Sequence, residues 1–301
     1  FAKDQLSTMT FSIRNFGATA GVRTDVLGTG NVTVNGVTLD LHPSGTGAGT
    51  AFTLNNNFKL IGGTLVDYDG NDMTLAGDIA LEGANTIQAH WAGKDLILNG
   101  TIQDGAVAGS VTFRAGANEA ANAIYVNGHN TYTGNTTLGG GSNAGIVIAQ
   151  HADAFGSTTS TILSRGARLC AGTAGITITN PIDVDAGGMR LGGTNPFTLA
   201  GTTKLDNASR TIANYSTNGS TITLGAIDLS AGTTATAAFD NAANGATGAP
   251  IVVTGDITGA GQVALSYNQN TTFNGDLATS GASTMSGGTT VLNGGLTGTG
   301  G

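Results

Sequence analysis

Met73-Thr-Leu75-Ala-Gly77-Asp-Ile79 and Leu96-Ile-Leu98-Asn-Gly100-Thr-Ile102 are two copies of one short pattern. An apolar residue, a spacer and a second apolar residue run into Gly or Asn, and Ile or Leu often follows. The alternation is that of a β-strand with one buried face. Gly or Asn then permits positive φ, so the expectation is that the chain turns a corner there.

The pattern recurs. Copies include Val32-Thr-Val34-Asn-Gly36, Phe52-Thr-Leu54-Asn-Asn56, Ile124-Tyr-Val126-Asn-Gly128, Ile176-Thr-Ile178-Thr-Asn180-Pro-Ile182, Phe197-Thr-Leu199-Ala-Gly201 and Ile222-Thr-Leu224. Looser copies are Val253-Thr-Gly255-Asp-Ile257, Phe273-Asn-Gly275-Asp-Leu277 and Leu292-Asn-Gly294-Gly-Leu296. Their spacing averages about 23 residues, the length of one β-solenoid coil with two or three short strands. The gap from Val126 to Ile178 is about twice that, so a degraded copy is expected near Ile146-Val-Ile148. A lone strand cannot bury its apolar face, whereas stacked copies make one core and one hydrogen-bond ladder. The fold expected is all-β: a parallel β-helix (β-solenoid) of roughly 13 coils, on the order of 60 Å long. Its structural rival is an antiparallel sheet. Asn-Gly occurs at 35–36, 99–100, 127–128, 218–219, 244–245, 274–275 and 293–294, and Asn-Gly is the strongest short hairpin signal. The constant phase of the copies favours the solenoid.

Composition agrees. Of 301 residues 50 are glycine, only 10% are charged, and the net charge is −8. Four prolines and no strict Gly period exclude collagen. Low charge argues against disorder, and the acidic balance against nucleic-acid binding through a basic surface. No apolar run approaches the ~18 residues of a membrane span. The single cysteine, Cys170, excludes an internal disulfide framework and is expected to be a buried, inert thiol.

The stretch Gly128-His-Asn-Thr-Tyr-Thr-Gly-Asn-Thr-Thr-Leu138 resembles the signature of the autotransporter-associated β-strand repeat. The continuation through Ile146–Ala149, Asp153–Ser157, Ile162, Ala167–Leu169 and Ile176–Ile182 also fits, and a weaker copy starts at Tyr267. The resemblance covers 128–301 well and 30–127 only in rhythm. It implies a right-handed parallel β-helix in a large secreted surface protein of a Gram-negative bacterium. The signature marks the scaffold and carries no catalytic residues.

Residues 1–28 lack the repeat and read as an irregular first coil or an N-terminal cap, although Met9–Ile13 alternates like a strand. Residues 29–301 read as one continuous solenoid region, with 231–250 as an inserted loop. The last residues, Leu296–Gly301, stop in mid-repeat without a charged cap. The expectation is that this end continues into a longer chain or is covered by another subunit, because an open coil recruits another edge.

The densest acidic stretch is Asp67-Tyr-Asp69-Gly-Asn71-Asp72, with Asp78 beyond. Asp67, Asp69, Asn71 and Asp78 match the first, third, fifth and twelfth places of an EF-hand loop, and calcium is the cofactor such oxygens would take. The sixth place is Asp72 where glycine is needed, so a solvated turn is the competing reading. Asp67, Asp69, Asp72 and Asp104, with Lys59 and Lys94 nearby, are the best set for a polysaccharide lyase or glycoside hydrolase on a β-helix. His42, His90, His129 and His151 are scattered without metal-ligand spacing. His90-Trp91 reads as aromatic cover on a coil edge, with sugar stacking as the alternative. Gly139-Gly-Gly141 reads as a coil corner.

The functional expectation is a non-enzymatic extracellular scaffold: a β-solenoid segment of a bacterial surface adhesin, stalk or fibre, able to stack end to end into filaments. Its partners would be further copies or further coils, with host or matrix glycans or proteins on its surface.

Overall fold

A computed structural model describes residues 9–14, 27–42, 51–68, 71–90, 94–116, 122–140, 145–216, 218–240, 249–266 and 269–298. Among them the chain is all-β, with no helix, and its parallel sheets stack as a β-solenoid of about 10 turns. The expected 13 divided the length by the mean step. Bulges such as the one between Asp104 and Gly109 add residues without adding a strand. The sequence reads as one repeat region; the residues group into two compact units, Phe1–Ser160 and Thr161–Gly301.

In the first unit the motif strands Phe52–Leu54, Met73–Leu75, Leu96–Leu98, Ala123–Val126 and Ile146–Ala149 form one sheet. Their register is strict: Phe52 lies beside Met73, then Leu96, Ile124 and Val147, and Leu54 beside Leu75, Leu98, Val126 and Ala149. All ten side chains are buried. Each such residue is worth roughly 1.5–3 kcal/mol relative to exposure when it is a large aliphatic. The degraded copy is therefore real but one residue out of phase. Val147 and Ala149 face inward, where Ile146 and Ile148 were expected.

After the corner the chain enters a second sheet. There Phe11, Leu39, Leu65, Ile87, Phe113 and Leu138 form a continuous column. The second unit repeats the plan with three sheets. Its motif column runs Ile178, Leu199, Leu224, Val253, Phe273, Leu292. Every strand pair within each unit is parallel, so the Asn-Gly pairs at 99–100, 127–128, 274–275 and 293–294 are coil corners and not hairpin turns.

The alternating stretch near the start is a strand as read, and the inserted-loop expectation for 231–250 changes. The strand Thr10–Arg14 pairs in parallel with Thr38–His42, so this part of 1–28 belongs to the ladder; residues 1–8 and 15–26 lie outside the described residues. The stretch read as an inserted loop contains the strand Thr236–Asp240, paired with Ser209–Asn214 and Gln262–Ser266, and 241–248 lie outside the described residues.

The corner glycines serve a different purpose from the one expected. Gly36 does take positive φ, at 63°, with open space around it. Gly77, Gly100, Gly128, Gly201, Gly275 and Gly294 do not. At each of them an added Cβ would strike the backbone of the coil before. It would lie 2.3 Å from the Asn56 carbonyl oxygen at Gly77, 2.1 Å from that of Gly77 at Gly100, and 2.1 Å from that of Gly100 at Gly128. Gly100→Ala is therefore expected to destabilise the protein by about 3 kcal/mol, the upper range of overpacking. Gly36→Ala should cost only about 1 kcal/mol, from left-handed strain. Chemical denaturation of both variants checks this; equal losses would sink the close-approach account.

Candidate functional site

The signature stretch folds by alternation. Asn130, Tyr132, Thr136 and Leu138 point inward and are buried, whereas His129, Thr131 and Thr133 are exposed. The buried Asn130 side chain joins three segments: its Oδ1 accepts the Ile102 N–H at 2.7 Å, and its Nδ2 donates to the Ala154 carbonyl at 2.7 Å. The Tyr132 hydroxyl meets Thr136 Oγ1, which reaches the Phe155 carbonyl. Complete burial holds the Tyr132 phenol well above its ordinary pKa, although the Thr136 bond works against that. The Tyr132 carbonyl accepts the Ser157 N–H and the Ser160 hydroxyl. Residues 151–160 are thereby fastened onto the signature stretch as a compact series of turns, with Ala154 N–H to the His151 carbonyl and Gly156 N–H to that of Asp153.

This fastening brings His129, His151 and Asp153 together. His129 Nδ1 lies 2.9 Å from Asp153 Oδ2. The two imidazole centroids are 3.9 Å apart, with 38° between the planes. One ligand atom from each of the three residues lies within 4.8 Å of the others. Asp153 Oδ1 is buried without a hydrogen-bond partner, on a side chain that is 44% exposed overall. Among the described residues this is the group of His, Cys, Asp or Glu side chains compact enough to hold an ion. Histidines scattered in sequence are thus paired in space: the spacing rules for metal ligands assume local loops, and the contact here runs between successive coils.

His42, Tyr68 and His90 form a second cross-coil group that the sequence did not disclose. Tyr68 packs on His42 at 4.7 Å and stacks on His90 at 4.3 Å and 11°. His42 Nε2 also meets Asp40 Oδ2, which accepts the Ser12 hydroxyl. Trp91, read with His90 as edge cover, lies outside the described residues. In the second unit Arg168 and Arg190 each lie 5.0 Å from the Tyr215 ring centroid. Burial pushes the Cys170 thiol up to about 12, against the opposing effect of Arg168, so it remains protonated at neutral pH.

Two of the acidic candidates, Asp72 and Asp78, bond across the ladder. Asp78 Oδ1 accepts the Thr101 N–H at 2.9 Å, while the Asp78 N–H is donated to Asn57 Oδ1. Asp72 Oδ1 accepts the Asp95 N–H. Asp67 closes the strand Thr64–Asp67 and is buried, as is Asn71; Asp69 lies outside the described residues. Lys59 is paired with Glu82 at 2.7 Å, and neither Asp67 nor Asp72 is among its ion-pair partners. Asp95, which the sequence reading passed over, is held above the usual carboxylate range by burial, and the neighbouring Asp72 adds to this against the Ala123 N–H bond. It can be found only by knowing which residue sits one coil below. Gly139 and Gly140 take positive φ, as a corner does; Gly141 lies outside the described residues.

Comparison with family models, curated proteins and solved structures gave no match.

Asp104 offers a test of the carboxylate-to-backbone bonds. It accepts Thr133 Oγ1 at 2.6 Å, the Thr133 N–H and the Gly109 N–H. Desolvation alone would raise its pKa, but these bonds together outweigh it and hold the carboxyl below its ordinary value. A depressed acid stabilises the fold above its unfolded pKa, about 3.9, and loses that contribution as pH falls through the folded value. Asp104→Asn should therefore cost about 1 kcal/mol at neutral pH after solvent screening. The deficit should shrink as the pH drops below about 4. Denaturation midpoints across pH would show this; a deficit constant with pH would overturn the assignment.

Proposed function

We propose that the chain is a non-enzymatic extracellular scaffold: a β-solenoid segment of a bacterial surface adhesin, stalk or fibre, as its resemblance to the autotransporter-associated repeat implies. The observation that supports this reading is the parallel ladder, whose motif columns stay buried through successive coils; large apolar side chains are exposed mainly on its first and last described strands. Of the eight among the described residues, Met9 and Phe11 flank or lie on the first strand. Met285, Val291, Leu292 and Leu296 lie on or just beyond the last strands. Phe11 is 51% exposed at the head of a column whose later members are buried. Leu292 stands at the foot of the motif column of the second unit, 37% exposed, and Leu296 bridges Leu277 at the foot of a separate column, 67% exposed. Phe11, Leu292 and Leu296 hold the inward phase of a coil, each opposite a buried residue: Leu39, Phe273 and Leu277. An apolar edge of this kind can pair in parallel with a second copy.

The lyase or hydrolase reading has less support. Asp72 and Asp104 are occupied as backbone acceptors and Lys59 is tied to Glu82. The calcium reading draws on Asp78, whose carboxylate is likewise taken up by Thr101.

End-on association is checked by sedimentation velocity over a range of concentrations. The wild-type chain is expected to grow in mass as concentration rises, and Leu292→Asp with Leu296→Asp to hold it at one mass. A wild-type chain of constant mass would reject stacking between copies.

A further inference from the structure

We propose that His129, His151 and Asp153 form a binding site for a divalent transition-metal ion of the zinc type. The donor set is two imidazoles and one carboxylate. Two nitrogen donors select zinc, nickel or copper over calcium and magnesium, which take oxygen ligands. Catalytic-type zinc sites commonly use three protein ligands of this kind and leave a fourth position open.

The geometry needs little adjustment. Two ligands about 2.0–2.1 Å from a tetrahedral ion are about 3.3 Å apart. His129 Nδ1 and Asp153 Oδ2 already stand at 2.9 Å, and all three ligand atoms fall within 4.8 Å. His129 is 68% exposed and Asp153 44% exposed at their side chains, and His151 is half-buried, so side-chain rotation can widen the 2.9 Å pair and draw in the wider separation, up to 4.8 Å, toward about 3.3 Å. The ion takes the place of the hydrogen between His129 Nδ1 and Asp153 Oδ2: the neutral His129 ring binds through Nδ1 and carries its one N–H on Nε2, so no proton leaves the pair.

The frame around the group is built. Asn130, next to His129, is buried and fixed at both ends of its amide, and Ala154, next to Asp153, receives one of those bonds. The two halves of the site therefore sit on segments locked to each other from beneath. A second feature points the same way. Asp153 Oδ1 is buried and has no hydrogen-bond partner, and an unpaired carboxylate oxygen is costly to bury. A cation bound beside it supplies the missing charge. The fourth position is left to water or to a donor from outside the chain, because His129 lies at the surface.

The test uses the full chain without a histidine tag and zinc alone as the probe, followed by isothermal titration calorimetry. One zinc per chain is expected. His129→Ala with His151→Ala should weaken it by at least about a hundredfold, and Asp153→Asn by about tenfold. His42→Ala with His90→Ala, which alters the separate aromatic column, should leave the affinity unchanged. Cobalt substitution gives a second readout: the absorption of a tetrahedral cobalt centre should appear in the wild type and vanish in the His129/His151 variant. Zinc should also raise the melting temperature of the wild type and not of that variant, because a ligand bound only by the folded state stabilises it. Equal zinc affinity in wild type and the His129/His151 variant, with circular dichroism showing both folded, would overturn the site. So would the absence of a cobalt spectrum in the wild type.

Discussion

The structure depends on how closely one coil can lie on the next at its corner. In a parallel ladder the strands sit about 4.8 Å apart, and the corners must keep that spacing for the strands to stay in register. At Gly77, Gly100 and Gly128 the backbone passes so near the corner below that a single carbon would overlap a carbonyl oxygen. The same holds along Gly201, Gly275 and Gly294 in the second unit. A side chain there would lift one corner and lengthen the backbone bonds on both flanking strands. The high glycine content follows from this contact as well as from conformational freedom, which glycines such as Gly36 and Gly187 use.

Close corners also dictate what polar residues do. A corner N–H that leaves the strand ladder needs an acceptor, and an unpaired one is costly. The neighbouring coil supplies it through short polar side chains: Asn57 to Asp78, Asp78 to Thr101, Asp256 to Asp276, and Asp276 to Gly295. Asn99 and Asn127 bond to each other, as do Asn274 and Asn293. Three of the acidic residues that group together when read along the chain, Asp72, Asp78 and Asp104, each accept a backbone N–H from the next coil. Scarce lysine and arginine fit the same picture, since stacking places each residue beside its counterpart above and below, where like charges repel.

The strand pattern was legible because burial has a period of two and the motif keeps its phase. Phe52, Met73 and Leu96 could be set in one column from sequence alone. Ile146 could not, because its copy lacks the Gly corner that anchors the phase, and the strand sits one residue over. The reason for glycine was misread for a physical cause: a position that forbids a side chain and one that needs positive φ have the same residue signature. Asp95 and the His129–His151 pair were illegible because coil length varies. Without a fixed step, no sequence separation identifies the residue directly above.

The signature stretch shows how such a scaffold separates structure from chemistry. Its inward residues Asn130, Tyr132 and Thr136 are buried and fasten the stretch to Ile102 on one side and to Ala154 and Phe155 on the other. The side chains of the outward residues His129, Thr131 and Thr133 are exposed. Because the inward set fixes backbone positions on both coils, an outward side chain on one coil meets a predictable neighbour on the next at ladder spacing. A three-residue group such as His129, His151 and Asp153 therefore arises from two surface positions and a turn, without a pocket and without disturbing the core. On this fold, chemistry is to be sought across the coils at outward positions, where the sequence order of the residues is the least informative guide.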